Sequence, residues 1–167
     1  MSNYFNTLQQ HRLYLNMDKC SFAMSNIKYL GYVIDSSGIH VHPKNVQILK
    51  YCPIPQNIHE LRSFLGLAKF YRRFILGFSH IAWPLNQLTK GNGKIVFKWT
   101  PTQQQAFEQL KNKLCTSTIL VLPNFHYPFE IETDASDYAC TTMITQSGHP
   151  VVFHSETFNN IVRRYSM

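Results

Sequence analysis

The sequence predicts an α+β fold in which helices through the middle of the chain separate two antiparallel β regions. Three observations carry this. Residues 27–34 and 39–41 are apolar segments on either side of the turn signal Asp35-Ser36-Ser37-Gly38. Residues 57–75 and 100–114 carry apolar stripes at helical spacing behind recognisable N-terminal caps. Residues 129–133, 139–145 and 150–154 read as strands, with Ser147-Gly148 as the turn between the last two. A chain of 167 residues, 44% of them hydrophobic, can bury the core of one medium domain or two small ones.

Taken in order, Tyr4, Leu8 and Arg12 fall on one face and predict a short first helix. Residues 27–41 predict a β-hairpin, with His40 and His42 on one face of its second strand and no third metal ligand nearby. Pro43 opens a short helix through Leu49, and Pro53 and Pro55 impose an extended linker. Asn57 and Glu60 form a capping box for a helix through Ile75, whose Leu61, Phe64, Leu65 and Ala68 share a face. Gly66 costs this helix about 1 kcal/mol relative to Ala. It fits best the close approach of another backbone or a ligand, with a tolerated glycine as the alternative. Ser79 is the expected cap of a second helix carrying Ile81, Leu85 and Leu88, with Pro84 in its first turns. Gly91-Asn92-Gly93 marks a flexible break. Thr100, Pro101 and Gln103 then start the helix that carries Ala106, Phe107, Leu110 and Leu114.

Charge is unevenly spread. The net charge is +7, but residues 1–99 hold 12 Lys and Arg against 3 acids, while residues 100–167 hold 4 against 6. A basic half of this kind suits a polyanion, or simply a solvated basic surface. Arg62, Lys69, Arg72 and Arg73 follow Glu60 with no further carboxylate among them, and helical spacing puts Arg62, Lys69 and Arg73 on one face. Phosphate contacts from such a face give salt-dependent affinity without sequence reading, and Phe70 and Tyr71 stand ready for sugars or bases. Glu132 and Asp134 share a strand face and could hold a divalent ion; an isolated strand-end carboxylate reads the same way. Cys20, Cys52, Cys115 and Cys140 form no CxxC unit, which argues against zinc, and the apolar or aromatic context of three of them predicts reduced, buried thiols of an intracellular protein. No segment resembles a signal peptide, and no apolar run approaches the ~18 residues of a membrane span.

Several motifs resemble, in order, the Pol polyprotein of gypsy-type LTR retrotransposons. They are Leu15-Asn16-x-x-Lys19-Cys20-x-Phe22, Tyr29-Leu30-Gly31-Tyr32-Val33, the run from Glu60 to Ile75, the stretch from Trp99 to Pro123, and Thr133-Asp134-Ala135-Ser136. The resemblance covers roughly residues 8 to 166. It implies a palm-edge β-hairpin, a helical thumb and the truncated start of an RNase H-like antiparallel sheet. The implied divisions are 1–56, 57–92 and 93–167. It further implies that Leu30, Gly31 and Tyr32 belong to a primer-grip-like hairpin. Arg62, Gly66, Lys69, Tyr71, Arg72 and Arg73 would lie on a thumb helix that tracks the template–primer duplex. Asp134 would be a Mg²⁺ ligand and catalytic residue of the RNase H-like part.

The sequence departs from the family where chemistry is concerned. The Tyr-x-Asp-Asp motif of the polymerase site is not in the chain, only Asp137 and Glu156 follow Asp134 as acids, and Thr141-Thr142 replaces a small Gly-Ala pair. The expectation is therefore a part of a reverse transcriptase that binds and positions an RNA/DNA or DNA/DNA duplex and is inactive alone. Its partners would be the duplex, the remainder of the polyprotein and, through an exposed sheet edge, a second copy; a membrane is not expected. The implied location is intracellular, in the cytoplasm or a virus-like particle. A non-catalytic protein-interaction module derived from a retroelement is the alternative. A thumb segment, 57–90, stable by itself is also expected.

Overall fold

The computed structural model describes residues 2–90 and 97–159. A first helix, α1 (Ser2–Gln10), leads through a short 3-10 turn at Met17–Lys19 into a three-stranded antiparallel meander of β1 (Asn26–Tyr29), β2 (Tyr32–Asp35) and β3 (Gly38–Val41). Four helices follow: α2 (Pro43–Lys50), α3 (Ile58–Phe70), α4 (Phe78–Thr89) and α5 (Pro101–Cys115). A second antiparallel sheet follows, ordered β4 (Glu130–Ala135), β5 (Ala139–Gln146), β6 (His149–Thr157). The α+β class and the helices between two antiparallel sheets follow the sequence reading. No helix among the described residues is long and apolar enough to cross a membrane.

The first sheet has one more reversal than expected. Residues 27–34 form two strands, because the chain turns at Leu30-Gly31, with Tyr29 paired to Tyr32. Both turn residues have positive φ, 46° and 79°, as a two-residue turn matched to strand twist requires. Leucine is a poor residue for this conformation, which hid the turn in the sequence. The second reversal falls at Ser36-Ser37, where the Asp35 carboxylate accepts bonds from the Ser37 hydroxyl and amide. Together with the His40 imidazole at 3.0 Å, these hold the Asp35 carboxyl well below the usual carboxylate range. His42 Nδ1 accepts from the Lys44 amide and caps α2.

The core runs through the helices and joins the sheets. Leu61, Phe64, Leu65 and Ala68 of α3 are buried with Ala82 and Leu85 of α4 and Phe107, Leu110 and Leu114 of α5. The Phe64 and Phe107 rings meet at 4.6 Å between centroids. The expected self-sufficient segment 57–90 therefore shares its core with α5. Ser79 does not cap α4: the cap is Gly77, with φ 69°, and the Ser79 amide donates to Ser155 Oγ of β6. The four cysteines are free thiols, and each is half-buried rather than buried.

Leu120 joins the open edge of the first sheet to the C-terminal half. Leu120 pairs antiparallel with Ile39, through bonds of 2.7 and 3.1 Å, and the next amide, Val121, donates to Pro150 of β6. The approach is so close that a Cβ on Gly38, where φ is 135°, would stand 2.3 Å from the Leu120 carbonyl oxygen. Gly91-Asn92-Gly93 and Arg164-Tyr165-Ser166 lie outside the described residues.

Candidate nucleic-acid interface

α3 begins as its sequence dictates. Asn57 Oδ1 accepts from the Glu60 amide, and the Glu60 carboxylate accepts from the Asn57 side chain and the Gln56 amide. Burying Leu61, Phe64, Leu65 and Ala68 turns Arg62, Gly66 and Lys69, spaced by four and three, to the exposed face. A Cβ built on Gly66 meets nothing within 4 Å, so the helix backbone is open there between two cations. Arg62 donates to the Thr89 carbonyl at 3.3 Å, the last residue of α4, where a helix end favours a cation. Among the described residues, none of Arg62, Lys69, Arg72 and Arg73 has an acidic group within 4 Å.

The helix stops at Phe70, five residues earlier than expected, and a 3-10 turn at Arg72–Phe74 follows. This break undoes the expected trio of Arg62, Lys69 and Arg73. Arg72 instead joins Lys69 on the wall of a cleft beside β6, and Arg73 swings to the opposite side, its guanidinium 5.8 Å from the centre of the Tyr32 ring.

Tyr71 sits at the break and takes a different part from the one expected. It is 1% exposed, so its ring cannot stack on a base. Its hydroxyl donates to the Gly31 carbonyl at 3.2 Å and accepts from Asn45 Nδ2 at 2.6 Å. Burial raises the Tyr71 hydroxyl above its ordinary pKa, against the lowering effect of the Asn45 bond. The Tyr32 hydroxyl donates to the Phe70 carbonyl, and the Tyr32 and Phe70 rings stack at 5.1 Å. The turn at Leu30-Gly31 is thus clasped to the end of α3, and a Cβ on Gly31 would meet the Tyr71 oxygen at 3.0 Å. Leu30 projects from the tip, 68% exposed. Sequence reasoning missed Asn45, which carries no local signal. The burial of Tyr71 was readable, since Phe64, Ala68 and Tyr71 continue one stripe at i, i+4, i+7.

Asp134 lies away from these cations, on β4, which is exposed along its length. With Glu132, His80 and Thr141 it lines a cleft of about 380 Å³. No group of three His, Cys, Asp or Glu placed to hold a metal occurs among the described residues. Glu132 and Asp134 are the two carboxylates of this cleft, fewer than a two-ion site for Mg²⁺-dependent hydrolysis requires.

Residues 99–167 match the RNase H-like domain found in reverse transcriptase. The matches extend across the chain. The Pol polyproteins of the Drosophila melanogaster transposons opus and 297 are 32% and 37% identical over 173 and 166 residues, covering 96% and 97% of this chain. An uncharacterized mitochondrial protein of Arabidopsis thaliana is 36% identical over 134 residues, 79% of this chain and 83% of that protein. The chain belongs to the retrovirus-related Pol polyprotein family of gypsy and other LTR retrotransposons. It spans 17% and 15% of the length of the opus and 297 relatives. Its fold is that of the corresponding part of the foamy viral protease-reverse transcriptase, solved in complex with dsDNA. That match has a TM-score of 0.77 at 22% identity, over 97% of this chain and 34% of that one.

Proposed function

We propose that this chain binds and positions a nucleic-acid duplex, RNA/DNA or DNA/DNA, as the thumb-bearing part of a reverse transcriptase, in support of RNA-directed DNA synthesis by the polyprotein. The observation that carries this reading is the Arg62–Gly66–Lys69 face of α3, where two uncompensated cations flank a stretch of helix open to close approach. A duplex backbone laid there meets charge at both ends and no side chain between them. Arg72 and Arg73 extend the positive surface to either side of the helix end. Leu30, Gly31 and Tyr32 form the second contact, held in place by Tyr71, which acts as a positioning residue. The foamy viral relative, solved with dsDNA and also with an RNA/DNA hybrid, supports the duplex as ligand. The functional divisions would be 1–56, 57–92 and 93–167. No hydrolytic step is assigned to Asp134, and the chain is expected to leave a hybrid uncut in Mg²⁺.

Fluorescence anisotropy of a labelled RNA/DNA hybrid, titrated at several salt concentrations, tests the reading. Four phosphate contacts give log K against log salt a slope of about −3 to −4, and Arg62→Ala with Lys69→Ala makes it shallower by about 2. Absence of binding at about 50 mM salt, or binding indifferent to salt, overturns it. One observation favours a protein-interaction module instead: β4 is an edge strand, exposed along its length, with Ile131 65% exposed. Such an edge is a template for another strand. Salt-insensitive self-association in sedimentation equilibrium, without duplex binding, would select that reading.

A further inference from the structure

Lys69 and Arg72 also face a second feature. A cleft of about 330 Å³ opens between the end of α3, the outer side of α4 and the edge strand β6. Lys69 and Arg72 stand on one wall. On the next, Lys90 follows the last turn of α4 with its ammonium 4.7 Å from the centre of the Trp83 ring, on which it is steadied. The third wall is β6, lined by Ser155, Glu156 and Thr157, with Ser155 Oγ turned to the Ser79 amide of α4 and the Glu156 side chain on the other face of the strand, beside His154. Three cations thus line the cleft together with one acidic residue, Glu156, whose carboxylate lies 3.8 Å from His154 on its own strand. The cleft is continuous with the α3 face, because Lys69 belongs to both. It is also tied to that face mechanically, since Arg62 grips the Thr89 carbonyl immediately before Lys90.

We propose that this cleft is a second binding surface for the phosphodiester backbone of a nucleic-acid strand, taking the phosphates that run on past the C-terminal end of α3. The proposal rests on the duplex reading above and adds to it a specific extension, Lys90 and the β6 edge, with Glu156 as a brake on affinity. α3 has 13 residues and is about 20 Å long, which matches about 6 base pairs at 3.4 Å each. A duplex of about that length engages the α3 face alone, whereas one of about 20 base pairs also reaches the cleft.

The test is anisotropy with the full chain on RNA/DNA hybrids of these two lengths. Lys90→Ala is expected to make the salt slope for the longer hybrid shallower by about 1, so that over about 50 to 200 mM salt its affinity falls about threefold less than that of the wild type. It leaves the shorter hybrid unchanged. Glu156→Gln is expected to tighten the longer hybrid by a few-fold, a gain that misfolding cannot mimic. If both variants bind the longer hybrid like the wild type while Arg62→Ala still weakens it, the cleft proposal is overturned and the α3 reading stands. If the wild type binds neither hybrid, both fall. If Lys90→Ala weakens binding of a polyglutamate peptide and not of the longer hybrid, the ligand is an acidic protein and the proposal is overturned.

Discussion

Replacing Tyr71 with Phe removes one oxygen and little else. That oxygen links Asn45 to the end of α3, and it donates to the Gly31 carbonyl. Without it, Gly31 keeps two bonds, from the His42 amide at 3.1 Å and from Asn45 at 3.4 Å, and the Asn45 amide loses its shortest partner. Leaving buried polar groups short of a partner costs about 1–3 kcal/mol, against about 1 kcal/mol for a hydrogen bond whose partners return to water. The expected loss is about 1 kcal/mol, or about 2–4 °C in Tm for a chain of this size. Urea unfolding followed by tryptophan fluorescence would show a lower midpoint at unchanged slope. Asn45→Ala should cost less in the Tyr71→Phe background than in the wild type, with a coupling of at least about 0.5 kcal/mol. The same oxygen sets an alkaline limit. Because burial raises its pKa in the folded state, the protein holds the phenolic proton more tightly than the unfolded chain does. Stability is then full below pH ~10 and falls as the pH rises through the folded value. Tyr71→Phe should flatten that fall. A loss below about 0.5 kcal/mol with an unchanged alkaline slope would refute the clasp.

The open position on α3 makes an opposite-sign prediction. Gly66→Ala should stabilise the chain by about 1 kcal/mol in urea unfolding while weakening hybrid binding in anisotropy. Gly38→Ala drives a Cβ onto the Leu120 carbonyl at a φ that only glycine adopts readily, and should cost at least about 2 kcal/mol by thermal unfolding. Leu30→Asn suits the left-handed turn better and should raise Tm, since leucine costs about 1–2 kcal/mol there. Asp35 is depressed first by the Ser37 hydroxyl and then by His40, so its contribution is present above pH ~4 and lost as the pH falls. Asp35→Asn should flatten the acid limb of a stability–pH curve.

The C-terminal sheet was legible because its turn is written in turn chemistry. Ser147-Gly148 carries both positive φ values, and strands of period two flank it. The reversal at Leu30-Gly31 was not, because leucine occupies a position where Asn or Asp would have announced the turn. The cations of α3 were legible as a group, but their arrangement was not. Helical arithmetic carried through to Arg73 assumes a helix through Ile75, and the backbone leaves the α conformation at Tyr71. What stops it there is a tertiary demand: Tyr71 must reach Gly31 and Asn45, which lie 40 and 26 residues away in the chain. Lys90 and Glu156 escaped notice for the same reason, since only the packing of α4 on β6 puts them across one cleft.

The pairing of Ile39 with Leu120 governs how the molecule assembles in time. It closes a loop of about 80 residues, and the conformational entropy of so long a closure must be met before any of its hydrogen bonds form. The α-helices and the β4–β6 meander have local contacts and can organise early. The β3 edge of the first sheet can close only afterwards, when residues 119–121 already lie against β6, although its other end can dock earlier on the end of α3. Refolding should therefore show β1–β3 protected last in pulsed hydrogen exchange. During synthesis, the N-terminal third of this chain must wait, with its strands unpaired at one edge, until Leu120 has left the ribosome.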